Sequence, residues 1–129
     1  MEKQIILTAA VLGALAVILG AFGAHGLKPH IAPAELDVWQ TAVQYHFYHV
    51  FALLFLSTLT QTGGGLVGFA YYAYLIGIIL FSGSLYLLAC RYVLGWSWLA
   101  ILGPVTPLGG LSLICGWVLM AIAAWKQLK

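Results

Sequence analysis

The chain of 129 residues is 64% hydrophobic and only 6% charged, with a mean hydropathy of +1.05 and a formal net charge of +2. Roughly a quarter of the residues of a soluble domain are charged, so this composition cannot clothe a water-facing surface and assigns the chain to lipid. The small, scattered positive charge excludes a nucleic-acid footprint. Cys90 and Cys115, each inside an apolar run, form neither a disulfide framework nor a metal-spacing pattern, and both are expected as buried, bare thiols.

A bilayer core about 30 Å thick needs roughly 20 apolar residues of helix. Four segments meet that requirement, at about residues 4–24, 33–61, 67–90 and 106–127. The first follows MEKQ, and its apolar run exceeds the roughly 7–15 residues of a cleavable signal core, so it is expected to stay as a transmembrane helix. It leaves through GAFGAHGLKPH, where His25 can bond the last free carbonyls and complement the negative end of the helix dipole. The second opens at PAEL: Pro33 suits a first helical turn, and Glu35 and Asp37 suit the positive dipole end. TGGG, residues 62–65, is a loop. Arg91 marks the exit of the third segment.

Residues 92–105, YVLGWSWLAILGPV, are apolar but broken by Gly95, Gly103 and Pro104. That piece is too short to span, and Trp96 and Trp98 suit the headgroup level. Thr106 and Pro107 read as the N-cap and first residue of the last helix. The expected architecture is an all-α membrane protein: a four-transmembrane-helix bundle with an interfacial or re-entrant apolar segment before the fourth helix, in a single integral membrane domain over residues 1–129. Four spans put both termini on one side. Lys3, Lys126 and Lys129 there, against Lys28 and Arg91 opposite, assign that side to the cytoplasm.

Lipid gives apolar helices no hydrophobic reason to associate, so close packing through small residues must hold them. Ala9, Gly13, Ala16, Gly20 and Ala24 form one narrow stripe on the first helix. Ala70, Ala73, Gly77 and Ser84 do so on the third, and Gly109, Ser112 and Gly116 on the fourth. These stripes imply a tight bundle or an oligomerisation seam. No internal repeat supports an inverted-repeat transporter.

Polar groups inside a bilayer are costly, which makes QYHFYH, residues 44–49, the most informative stretch. Tyr45, Tyr48 and His49 share a face, and His46 sits about 100° further round from Tyr45. The plain reading is a hydrogen bond across the bundle between His49 and a tyrosine hydroxyl. The functional reading is a proton relay, a quinone contact or a metal ligand. Haem would need two histidines facing each other; His46 and His49 share one helix surface, and His25, the only other partner for His49, lies near the membrane edge. No Cys, Asp or Glu joins the histidines at zinc spacing.

The exits of the first and third helices must lie at one end of the bundle. That end collects His25, Lys28, His30, Glu35, Asp37, Arg91, Trp96, Trp98 and the start of the last helix at Thr106. A helix N-terminus beside Gly109 and Gly110 could receive a lipid phosphate, with ordinary capping as the plain alternative. Ser82 and Ser84 sit in apolar surroundings, where serine hydroxyls return to a backbone carbonyl, and no acid accompanies them for a triad.

Four motifs, GAFGAHGL, QYHFYHVFALL, FSGSLYLLA and TPLGGLSLICGW, give the chain its resemblance to domain-of-unknown-function family 423, the YgdD-like small bacterial membrane proteins. Gly23, Ala24, His25, Tyr45, His49, Ser82, Gly83, Ser84, Thr106, Pro107, Gly109, Gly110, Gly116 and Trp117 carry it. Residues 92–105 depart from it by being more apolar and richer in tryptophan. The resemblance implies a multi-pass protein of the bacterial plasma (inner) membrane with about four spans, and it implies no reaction. The leading reading is a non-enzymatic helix-bundle module, without a cofactor, that forms a homo-oligomer or supports a larger membrane complex. The alternative is a membrane-embedded site for quinone, lipid or haem built from His25, Tyr45, His46, Tyr48 and His49, with Ser84, Arg91 and Thr106 as further polar candidates.

Overall fold

The computed structural model describes residues 1–61 and 64–127, and the assigned secondary structure among them is helical. Thr62 and Gly63 of the expected loop, and Lys129 of the charge count, lie outside the described residues. Helix α1, Glu2–Phe22, continues through a π turn, Gly23–Leu27, and a 3-10 turn, Lys28–His30. Helix α2, Pro33–Ser57, starts on its proline and stops four residues before the expected end at 61. The hydroxyls of Ser57, Thr58 and Thr60 each donate to a carbonyl three residues back. They thereby offer the chain an alternative to the helical ladder.

The third expected helix is divided into α3, Gly65–Gly77, a π turn, Ile78–Ser82, and α4, Gly83–Ala89. Helix α5, Arg91–Leu94, ends where Gly95 adopts φ +69°. There the Gly95 N–H donates to the Tyr92 carbonyl and the Trp96 N–H to the Arg91 carbonyl, a Schellman turn that glycine accommodates without strain. A 3-10 segment, Ser97–Leu102, leads into α6, Val105–Gln127. Thr106 therefore is not an N-cap. The helical path extends from Ser97 to Gln127, and α6 itself begins at Val105, so Thr106 lies inside the helix rather than at its start.

Among the described residues, three helical stretches are long and apolar enough to cross a membrane: Glu2–His30 (29 residues), Gly65–Ala89 (25) and Ser97–Gln127 (31), with mean hydropathies of 2.6, 1.8 and 1.9 over an apolar 18-residue segment of each. Helix α2 has 25 residues but is not among them, because Gln40, Gln44, His46 and His49 lower its hydropathy.

Helix α1 packs mainly on α2, α3 on α6, and α4 on α2. The α1 contact row differs from the expected stripe at its end. Ala9, Ala16, Gly23 and Leu27 are buried, Gly13 and Gly20 face Val50 and Val43, and Ala24 is exposed. The row alternates steps of four and three throughout, the 3.5-residue period of knobs-into-holes packing. On the other side α6 meets α3 and the π turn through glycines. A Cβ at Gly116 would stand 2.7 Å from the Tyr74 ring, and one at Gly109 would collide with the Leu80–Phe81 backbone. The stripes are thus occupied by contacts within the chain. Hydrogen bonds tie α1 to α2 (the Trp39 indole to the Leu19 carbonyl) and α6 to α3 (Ser112 to the Ala73 carbonyl), and add links from α1 to α3 (Thr8 to Tyr71) and from the π turn to α2 (Ser82 to the Ala42 carbonyl). Each such bond inside a membrane protein contributes about 0.6 kcal/mol on average. Cys90 is half-buried, and Cys115 stands on the exposed side of α6 rather than in the core.

Candidate functional site

Helix α2 turns its two histidines into different surroundings. His46 is 2% exposed. Its Nδ1 is 2.8 Å from the Tyr86 hydroxyl of α4, and its Nε2 has no hydrogen-bond partner. Trp39 covers the Tyr86 ring at 4.7 Å, and Leu27 and Ala89 complete this apolar cluster. The expected bond between a histidine and a tyrosine across the bundle thus exists, but it belongs to His46.

His49, 4% exposed, faces α6 instead. Its Nδ1 lies 2.6 Å from the Tyr45 carbonyl, one turn back on its own helix. The indole N–H of Trp117, 68 positions away, donates to its Nε2 at 3.0 Å. A carbonyl can only accept and an indole N–H can only donate. The two neighbours therefore fix one neutral tautomer from opposite sides, with the proton on Nδ1.

Around His49 lies a cleft of about 680 Å³, lined by Tyr45, Tyr48, Phe51, Phe81, Gly110 and Trp117 among others. The Tyr45 ring meets Phe81 at 4.9 Å and Tyr48 at 5.5 Å. Tyr48, Phe51 and Trp117 are 53%, 61% and 45% exposed, so the cleft opens through the side of the helix bundle. The π turn Ile78–Ser82 supplies Phe81 to this wall. Gly110 leaves its floor flat: a Cβ there would make only ordinary contact with the Phe81 ring, at 3.6 Å. Among the described residues, the Tyr45 and Tyr48 hydroxyls make no hydrogen bond within the chain.

The remaining candidates do not converge here. Ser84 donates to the Phe81 carbonyl or shares its hydroxyl with Thr106 at 2.6 Å, tying α4 to α6. Arg91 donates to the Tyr92 hydroxyl and lies over that ring at 4.7 Å. His25 is exposed on the π turn after α1. A smaller cleft at that end is lined by His30, Glu35 and Tyr92 among others, without His25 or Arg91. Among the described residues, no three His, Cys, Asp or Glu side chains gather as a metal site. Phe81 and Trp117 were absent from the expected histidine site, and Gly110 was expected only beside the start of the last helix. The available signal was Trp117 itself, an indole in an apolar helix whose N–H needs a partner.

Residues 19–110 match the family described as "Protein of unknown function (DUF423)". The chain is 44% identical over 128 residues to the UPF0382 membrane protein YwdK of Bacillus subtilis (strain 168), covering 98% of this chain and 99% of that protein. It is 40% identical over 124 residues to a UPF0382 membrane protein of Staphylococcus aureus (strain bovine RF122 / ET3-1), covering 96% and 97%. With one from Staphylococcus haemolyticus (strain JCSC1435) it shares 38% over 120 residues, covering 90% and 93%. No solved structure matches the chain.

Proposed function

The chain belongs to the DUF423 family of membrane proteins of unknown function, and from that premise we propose that it is a non-enzymatic binding module that holds a lipid-soluble, ring-bearing ligand in the cleft beside His49. The observation that carries this reading is the convergence of Tyr45, Tyr48, His49, Phe81 and Trp117, from three separated stretches of chain, around about 680 Å³ of open space. Ligand sites are clefts of about 300–1,000 Å³ with mostly apolar and aromatic walls and few polar groups. A quinol-like ring bearing hydroxyls fits these walls, whereas haem would have to displace the Trp117 indole from Nε2 to reach a ring nitrogen of His49. In this reading α2 is the fourth span, its histidines turned away from lipid. The segment before α6 lies at the interface, and both termini face the cytoplasm of a bacterial cell. Native mass spectrometry of protein extracted in mild detergent tests the proposal. A bound small molecule present in the wild type and lost in Gly110→Leu, which fills the cleft floor, is expected; equal content in both defeats it.

A second reading, self-association or docking into a larger membrane complex, is supported by Gln40 and Gln44, exposed one turn apart on α2 beside Gly20 and Ala24. A carboxamide both donates and accepts, so two copies could satisfy each other. Unchanged cross-linking between copies in Gln44→Leu would remove that support.

A further inference from the structure

Building on the ring-ligand reading of the His49 cleft, we infer that the cleft selects a ligand with a phenolic hydroxyl, and that the Trp117 indole N–H is the internal stand-in which that hydroxyl displaces. The argument starts from the tautomer. The Tyr45 carbonyl at 2.6 Å holds the proton of His49 on Nδ1. Toward the cleft the ring therefore presents Nε2, a lone pair that only a donor can satisfy. In the free protein the Trp117 N–H is that donor, at 3.0 Å.

The two partners of this bond differ in exposure. The His49 ring is 4% exposed and bonded to the backbone of its own helix, whereas Trp117 is 45% exposed and lines the cleft. Trp117 meets the His49 and Tyr74 rings edge to face, at 5.8 and 5.7 Å, and its exposed half borders the cleft, so a ligand reaches the indole from there. An unpartnered buried nitrogen is costly, which keeps the indole in place until another donor arrives. A ring carbonyl or an ether brings only lone pairs and meets Nε2 lone pair to lone pair. A hydroxyl donates and replaces the indole bond for bond. Tyr45 and Phe81 wall the cleft with aromatic rings, which places that hydroxyl on an aromatic ring rather than on an aliphatic chain.

The test uses the full chain in detergent micelles with para-octylphenol and its methyl ether, which share ring and tail and differ only in the donor. The chain has five tryptophans, and Trp117→Phe identifies the Trp117 indole N–H resonance by its loss. Because the phenol trades the indole bond for its own, it is expected to shift that resonance and to bind only modestly more tightly than the ether, which leaves the indole in place. Trp117→Phe, which removes the competing donor, is expected to tighten the phenol several-fold and leave the ether unchanged. Equal affinity of phenol and ether, with the indole resonance unmoved, overturns the donor selectivity while leaving the cleft reading intact. Binding of neither compound, in wild type or Trp117→Phe, overturns both.

Discussion

His46 and His49 stand three residues apart on α2, and both are almost inaccessible, yet the regions around them are built on opposite plans. The His46 region is sealed: α1 and α4 close over it, Trp39 covers Tyr86, and one ring nitrogen still lacks a partner. The His49 region is open to a cleft, and there both ring nitrogens are engaged. Closure and hydrogen-bond satisfaction are therefore separate properties. In the sealed region the orphan nitrogen is a cost that the surrounding packing has to offset. An open region exposes its histidine to exchange, so a complete set of partners is what defines the state of the ring.

The contrast can be broken or sharpened by four substitutions, beginning with the largest effect. Gly109→Leu puts a side chain into the Leu80–Phe81 backbone, which cannot relax as a flexible side chain can. A loss of about 3 kcal/mol or more is expected, read as loss of the monodisperse peak on gel filtration in detergent. Next comes Tyr86→Phe. It leaves His46 with neither nitrogen bonded in the sealed region, at a cost of about 1–3 kcal/mol, measured as a drop in thermal unfolding midpoint. Trp117→Phe removes the donor to His49 but leaves Nε2 beside an open cleft. Its cost is expected near 1 kcal/mol and below that of Tyr86→Phe; the reverse order would break the comparison. Gly110→Leu is the mildest: it fills the cleft from a position one residue beyond Gly109, and its stability is expected within about 0.5 kcal/mol of wild type, read from the thermal unfolding midpoint.

Composition made the helical, lipid-facing character legible, and four spaced motifs made the family legible. The halves of the site that lie close together in sequence were also readable, since Tyr45, Tyr48 and His49 fall on one face by helical spacing alone. What joins them to Trp117, or His46 to Tyr86, was not. Periodicity within one helix says which residues share a face, not which other helix that face meets. The end of the α1 stripe was misread for a related reason. Two equally small residues, Gly23 and Ala24, stand side by side, and only the position of Trp39 decides which of them faces inward. Thr106 followed by Pro107 has the local signature of a helix start, but α6 already begins one residue earlier, at Val105.

The 4–3 contact row of α1 has a consequence for what lengths this chain can take. One residue inserted between Gly13 and Ala16 would rotate everything downstream by about 100°, turning Gly20, Gly23 and Leu27 out to lipid and removing Trp39's acceptor at Leu19. Insertion of seven residues would restore the facing but displace the far end along the helix by about 10 Å, past the partners it now meets. The letters on the outer face of α1 are free to drift among apolar residues. Its count is not, and in sequences that keep this α1–α2 pairing, insertions and deletions belong in the connections and not between Ile5 and Leu27.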